Sequence, residues 1–155
     1  MTRSPNSSTP LSHRARVNKI LVWVAGFSFV GFIDAAYLTA AHFLAAPVPC
    51  SITHGCETVL QSPYSMIGPV PLSLFGVGFY LAVLFLAIYI HTMTETYRHH
   101  HYALFVLTAL GCGMSVVFEL TQIFVIHAIC QYCALSALAS LGLFVCGIFL
   151  LRTRE

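Results

Sequence analysis

Charged residues are scarce in this chain: Asp, Glu, Lys and Arg make up 8% of its 155 residues, whereas 58% are hydrophobic. A soluble domain of this size normally carries roughly a quarter charged residues. The mean hydropathy of +0.84 is also typical of a membrane protein, because stretches this apolar could not stay in water. The composition thus excludes an ordinary soluble domain, and we expect the lipid bilayer to surround the chain. No nucleic-acid partner is expected.

Basic residues are absent from two of the connections between apolar stretches. All seven precede the first stretch, lie between the second and third, or follow the fourth: Arg3, Arg14, Arg16, Lys19, Arg98, Arg152 and Arg154. Lys and Arg are enriched on the cytoplasmic side of membrane proteins. We therefore expect a multi-pass protein of the bacterial inner membrane, with both termini in the cytoplasm and the other two connections facing the periplasm.

Four apolar stretches predict membrane spans at about residues 20–44, 72–91, 102–126 and 130–151. At about 1.5 Å per residue, each can cross a hydrocarbon core of roughly 30 Å. Residues 1–19 are too polar to bury a core and are expected to form a disordered cytoplasmic tail, with residues 152–155 as a second, short tail. The expected fold class is an all-α integral membrane protein, a bundle of four transmembrane helices.

The outer loop at residues 45–71 is the one long connection, and Pro and Gly residues interrupt it repeatedly. Loops of this length are usually functional. Residues 57–61 could form one or two helical turns, which Ser62-Pro63 would end because a residue before proline avoids the helical region. The apolar second half, which includes Tyr64, suits a lid on the bilayer surface.

The last span begins with Cys130-Gln131-Tyr132-Cys133. On a helix, two cysteines three residues apart share one face and are close enough to be bridged. The start of a helix also favours the thiolate, through its partial positive charge and free N–H groups. This spacing therefore predicts a reactive dithiol at the outer face.

A second pair, Cys50 and Cys56, lies in the outer loop, where Gly55 gives the chain freedom to bring the two together. The expected outer compartment is oxidising, so disulfides form and persist there. Two pairs at one face predict an electron relay, since exchange proceeds by thiolate attack on a neighbouring disulfide. Cys112 and Cys146 lie inside apolar stretches and are expected to serve packing.

Asp34 and Glu119 are the two acidic residues within the predicted spans. Such residues are costly in a membrane and indicate function by default. We expect both in the outer half of the bundle, where they would line a cavity or relay protons. The alternative is a carboxyl group satisfied by neighbouring polar residues for packing alone.

Two other functions are compatible with these cysteines. His127, Cys130 and Cys133 have a spacing found in metal sites and, with Cys50, Cys56 and His54, could form a zinc or copper site. A structural metal would not need the long apolar lid, so no metal is expected. The chain could also be a non-catalytic membrane protein with four spans, whose loop disulfide only stiffens an adhesion or assembly surface.

Three motifs in order resemble the vitamin K epoxide reductase family in its bacterial form. They are Cys56 to Ser65 (CETVLQSPYS), Gly68 to Gly76 with Ser73 inside it, and Cys130-Gln131-Tyr132-Cys133. The resemblance covers about residues 20 to 150. It implies a four-helix bundle that holds a quinone beneath a loop cap.

The resemblance also implies roles for individual residues. Cys130 and Cys133 would be the active-site pair, with Cys133 facing the quinone. Cys56 would exchange with Cys130, and Cys50 would meet a partner protein. The residues expected to contact the quinone are Ser62, Tyr64, Ser73, Glu119 and Asp34.

The chain departs from the vertebrate members of the family at two positions. Leu72 stands where they have an asparagine that binds vitamin K, and Ala137 where they have a tyrosine. A bacterial quinone, ubiquinone or menaquinone, is therefore expected in place of the vitamin K epoxide. We also expect no fused thioredoxin-like domain, so the implied electron donor is a separate thioredoxin-fold protein of the DsbA kind, which the chain would reoxidise to support disulfide bond formation.

Overall fold

The computed structural model describes residues 9–51, 55–92 and 98–153. In these residues the chain forms five helices, α1 (Thr9–Phe43), α2 (Cys56–Leu60), α3 (Leu72–Thr92), α4 (Arg98–Thr121) and α5 (Gln131–Arg152). A short 3-10 turn, Pro63–Ser65, and an antiparallel hairpin of β1 (Met66–Ile67) and β2 (Val70–Pro71) complete the outer loop. Arg3, His54 and Arg154 lie outside the described residues.

Four of the helices are long and apolar enough to cross a membrane. These candidate spans are Arg14–Phe43, Leu72–Thr92, His99–Ile126 and Gln131–Arg152. Since a helix satisfies all its own backbone hydrogen bonds, it can cross a bilayer where an open strand cannot. The prediction of an all-α, multi-pass membrane protein built on four helices is confirmed.

The first helix begins earlier than the sequence led us to expect. Residues 9–19 belong to α1, so this part of the predicted disordered tail is wrong. Leu, Arg, Ala and Lys have high helix propensity and let a helix continue beyond the apolar core into a polar environment. The small β-hairpin was also missed. It turns at Gly68, whose φ of 63° favours glycine.

The bundle is held together by packing of α1 against α3 and α5, and of α4 against α5. Its buried core runs the length of the helices and includes Leu21, Val24, Tyr80, Val83, Leu104 and Leu143. Hydroxyl groups add interhelical hydrogen bonds, which help to hold helices together in a bilayer, where no water competes for them. These bonds join Thr39 to Ser73 (2.9 Å), Tyr80 to Ser136 (2.8 Å) and Ser140 to Ser115 (2.9 Å).

Candidate redox site at the outer loop

The first cysteine pair is a disulfide between Cys50 and Cys56, with their Cα atoms 5.9 Å apart. Cys56 is the first residue of α2 and is fully buried. The predicted helical turns at residues 57–61 correspond to this helix. After it, the Ser62 hydroxyl donates a 2.7 Å hydrogen bond to the Val59 carbonyl, and Pro63 follows. The loop thus carries Cys56 on a short, well-defined helix.

The second pair stands at the start of α5, where Cys130 is the N-cap residue and is fully buried. Its sulfur accepts a hydrogen bond from the Cys133 N–H at 3.4 Å. An N-cap side chain normally satisfies one of the free N–H groups of the first turn, and here the sulfur does so. Cys133 lies one turn further on and is half-buried, and both cysteines are free thiols.

Gln122 holds the backbone of Cys130 from the other side. Its Oε1 accepts the Cys130 N–H at 2.8 Å, and its Nε2 donates to Glu119 Oε1 at 3.4 Å. Gln122 is fully buried and opens a turn of π-helix, Gln122–Ile126, which ends at His127 in the left-handed region with φ 55°. π-turns of this kind often occur at functional sites. The contact between Gln122 and Cys130 was not predicted from the sequence.

The two cysteine pairs meet in one buried cluster. Cys56, Val59 and Cys130 form its centre, and Cys50 and Cys133 pack against it. The sequence separates Cys56 from Cys130 by a complete helical hairpin, so only the folded bundle brings them together. Thiol–disulfide exchange requires this proximity, and the arrangement supports it.

The two residues between Cys130 and Cys133 also hold the outer loop. The Tyr132 hydroxyl donates to the Pro49 carbonyl at 3.2 Å, and Gln131 Nε2 reaches the same carbonyl at 3.5 Å. The ring of Tyr132 packs against Tyr37 of α1, with centroids 5.3 Å apart. Because Pro49 directly precedes Cys50, the start of α5 anchors the Cys50 end of the disulfide loop.

The site favours the thiolate of Cys130. Its pKa is lowered from the ordinary 9.0 to about 7, chiefly because the Cys133 side chain hydrogen-bonds to it. Backbone N–H groups of Cys133 and Tyr132 add to the lowering, and burial opposes it. The sequence led us to expect that the helix start would favour a thiolate in this pair of cysteines. The lowered pKa is found at Cys130, because its N-cap sulfur meets the Cys133 side chain and, in addition, the N–H groups of the first turn.

Asp34 is a buried carboxyl group that interacts electrostatically with both Cys130 and Cys133. It is 5% exposed, and its Oδ2 has no hydrogen-bond partner among the described residues. A buried polar atom normally has a partner. The Oδ2 atom of Asp34 is therefore open to a hydrogen bond with a polar group of a ligand.

The five residues expected to contact a quinone lie in separate places. Ser62 and Tyr64 line a cavity of about 610 Å³ beside α2, whose lining is Glu57, Thr58, Gln61, Ser62, Pro63, Tyr64 and Ile126. That lining contains none of the four paired cysteines, so Ser62 and Tyr64 face a space that Cys133 does not line. Asp34 and Glu119 both interact electrostatically with Cys133. The Ser73 hydroxyl accepts a hydrogen bond from Thr39 on α1.

The cysteines outside the two pairs are Cys112 on α4 and Cys146 on α5, both free and half-buried. Within the described parts of the chain, no group of three or more His, Cys, Asp and Glu side chains is arranged to hold a metal ion. His54, which the metal hypothesis included, lies outside those parts.

Comparison with known protein families gives a match for this chain. Residues 22–148 match the model described as the Vitamin K epoxide reductase family, and this match covers most of the chain. The matched range contains both cysteine pairs and all four candidate spans except the first residues of α1 and the last of α5. No curated protein matches the chain significantly.

Proposed function

The chain belongs to the vitamin K epoxide reductase family and is a membrane disulfide oxidoreductase, and from that premise we propose that it passes electrons from a thioredoxin-fold partner to a membrane quinone. One observation carries the proposal: Cys56, in a disulfide with Cys50, shares a buried cluster with the free thiol of Cys130. Electrons can move between the pairs by thiol–disulfide exchange without exposure to water.

The first step is reduction of the loop disulfide by a DsbA-like protein. A partner thiolate attacks Cys50, which is half-buried, and Cys56 leaves as a thiolate. The second partner thiolate then attacks the mixed disulfide and frees Cys50. The partner is now oxidised, and its two electrons and two protons reside on Cys50 and Cys56.

The second step moves the electrons inward. The Cys56 thiolate attacks the Cys130 sulfur of a Cys130–Cys133 disulfide, and Cys133 leaves as a thiolate. Cys50 then attacks Cys56, which restores the loop disulfide and releases Cys130. The low pKa of Cys130, about 7, makes it a good leaving group. The protein then has the loop disulfide and two inner thiols, the redox state of the present structure.

The third step returns the inner pair to a disulfide. A bound quinone would supply the oxidant for this, since reduction of a quinone to a quinol consumes the two electrons and two protons that the inner thiols give up. We assign Cys133 to the quinone side, since it is half-buried while Cys130 is fully enclosed. Asp34, when protonated, would donate a hydrogen bond from Oδ2 to a quinone oxygen. Glu119 and Ser73 line the same end of the bundle, and Ser62 and Tyr64 belong to the cap.

We further propose that the protein lies in the bacterial inner membrane with the cysteines toward the periplasm. The basic residues near the start of α1 and at the end of α5 lie at the bundle end opposite the two cysteine pairs; they are Arg14, Arg16, Lys19 and Arg152. The positive-inside rule assigns that end to the cytoplasm. Ubiquinone and menaquinone are the two candidate acceptors.

The proposal is tested by the reduction of a short-chain ubiquinone analogue by purified protein, with dithiothreitol as donor. The wild type should turn over, and Cys130→Ser or Cys133→Ser should abolish turnover. Cys146→Ser, in the same helix but outside the cluster, is the matched control and should keep most activity. If both inner cysteines proved dispensable, the mechanism would be wrong.

The same preparation separates the two other functions. A purely structural loop disulfide predicts no co-purified quinone and thiols that stay oxidised in cells. A metal-handling protein predicts stoichiometric zinc or copper. Extraction for quinone, metal analysis and trapping of thiols in cells would reveal either result.

A further inference from the structure

Gly55 sits at the closest approach between the outer loop and the start of α5. A Cβ atom at this position would lie 2.6 Å from the carbonyl oxygen of Ile129 and 2.8 Å from its nitrogen. Gly55 directly precedes Cys56, and Ile129 directly precedes Cys130. The contact therefore joins the two peptide units next to the two cysteines that would exchange.

The backbone of Gly55 does not itself require glycine. Its φ and ψ of −101° and −2° are open to other residues, so the chain gains no special conformation there. What the site requires is space. From the sequence, Gly55 was expected to give the loop the flexibility to bring Cys50 and Cys56 together. In the structure, glycine at this position instead allows the loop backbone to approach the backbone of Ile129 closely.

Gly55 also differs from the other nine glycines in what it meets. Gly31, Gly111 and Gly142 face aromatic side chains, and Gly26, Gly78 and Gly113 have no atom within 4 Å. At Gly55 the nearest atoms are backbone. A methyl group there would need about 0.8 Å of separation to reach an ordinary contact of 3.4 Å.

That separation must come from the loop. Cys130 is held on its other side by the 2.8 Å hydrogen bond to the buried Gln122, and α5 is packed along its length. Cys56 would move with Gly55, its neighbour in sequence. Exchange needs the attacking sulfur in line with the disulfide, and displacements of about 1 Å can slow such steps roughly a hundredfold.

We propose that Gly55 is a positioning residue that couples the two cysteine pairs, so that a side chain at this position uncouples the partner-facing disulfide from the inner dithiol. The inference rests on the proposed relay and concerns its second step alone, the attack of the Cys56 thiolate on Cys130. The loop disulfide and the proposed quinone side at Cys133 should stay intact, because neither depends on the contact between Gly55 and Ile129.

The test compares two electron donors in full-length protein. With a reduced DsbA-like protein, which must enter through Cys50, Gly55→Ala should slow quinone reduction about ten- to a hundredfold. With dithiothreitol, which can reduce the inner pair through half-buried Cys133, the variant should match the wild type. Gly113→Ala adds the same methyl in open space and should behave as wild type with both donors.

Ala128→Leu adds bulk to the same contact from the other side, since the Ala128 Cβ lies 3.2 Å from the added atom. It should give the same donor-selective loss, even if Gly55→Ala fails to fold. If both variants kept the wild-type rate with both donors, or lost the same fraction of the rate with both donors, the role of Gly55 would be overturned. A wild type that reduces no quinone with either donor would instead refute the proposed function.

Discussion

At Cys130 both the backbone and the sulfur take part in hydrogen bonds. The N–H donates to Gln122, and the sulfur accepts from the Cys133 N–H. The four cysteines could be identified from sequence as candidate site residues, because Cys-x-x-Cys at a helix start carries its own chemical signal. Gln122 and Gly55 could not, since their contacts depend on a π-turn and a loop whose placement only the folded chain defines.

The first prediction concerns the ionisation of Cys130. Its pKa of about 7 is below the ordinary 9.0, so the group is a thiol below this pH and a thiolate above it. In reduced protein, thiolate absorbance in the ultraviolet should therefore appear as pH rises through about 7. Cys133→Ala removes the main cause, the side-chain hydrogen bond, and should move the transition toward higher pH. A transition that stays in place in this variant would contradict the assignment.

The second prediction concerns Gln122. Gln122→Leu leaves the buried Cys130 N–H without its acceptor, which should reduce the free energy of unfolding by about 1–3 kcal/mol. Denaturant titration in detergent measures the change. Gln61→Leu is the matched control, because Gln61 also donates to a glutamate, Glu57 at 3.0 Å, but is exposed. Similar stability of the two variants would show that the Gln122 acceptor contributes little.

At the scale of elements, the spans could be predicted because hydropathy over about twenty residues depends on composition alone. The ends could not. The start of α1 at Thr9 depends on how far a polar helix end continues beyond the apolar stretch. The π-helical turn that follows α4 depends on tertiary contacts that hydropathy does not report. The short α2 was predictable, since Ser62-Pro63 ends it by local sterics.

The third prediction concerns the packing of α1 on α3. A Cβ at Gly31 would collide with the ring of Tyr80, whose hydroxyl bonds to Ser136 on α5. Gly31→Ala should be less stable than Gly26→Ala by about 1–3 kcal/mol, the usual range for overpacking a core. Gly26 lies on the same helix with no atom within 4 Å, so it reports the effect of helix propensity alone. Thermal unfolding in detergent compares them, and equal midpoints would refute the close contact.

At the scale of the whole molecule, the cysteine pairs and the basic residues lie at opposite ends of the bundle. Both cysteine pairs lie where the outer loop meets α5, and the basic residues of α1 and α5 lie at the other end. The sequence predicted this division because an even number of spans returns the chain to its starting side. The meeting of the two pairs in one buried cluster is a property of the tertiary fold.

The fourth prediction concerns orientation. A fluorescent protein fused after Glu155 should be bright in bacterial cells, and alkaline phosphatase fused there should be inactive, because it needs periplasmic disulfides. A membrane-impermeant thiol reagent should label Cys50 in intact cells after mild reduction. Active phosphatase with unlabelled Cys50 would reverse the proposed topology.

The central claim, direct exchange between the two pairs, is tested by the double variant Cys50→Ser, Cys133→Ser. This variant removes Cys50, which pairs with Cys56, and Cys133, which would pair with Cys130. The account predicts that Cys56 and Cys130 then bond to each other, so that peptide mapping of the oxidised, purified protein recovers a Cys56–Cys130 disulfide in most molecules. Recovery of both cysteines as free thiols would contradict it.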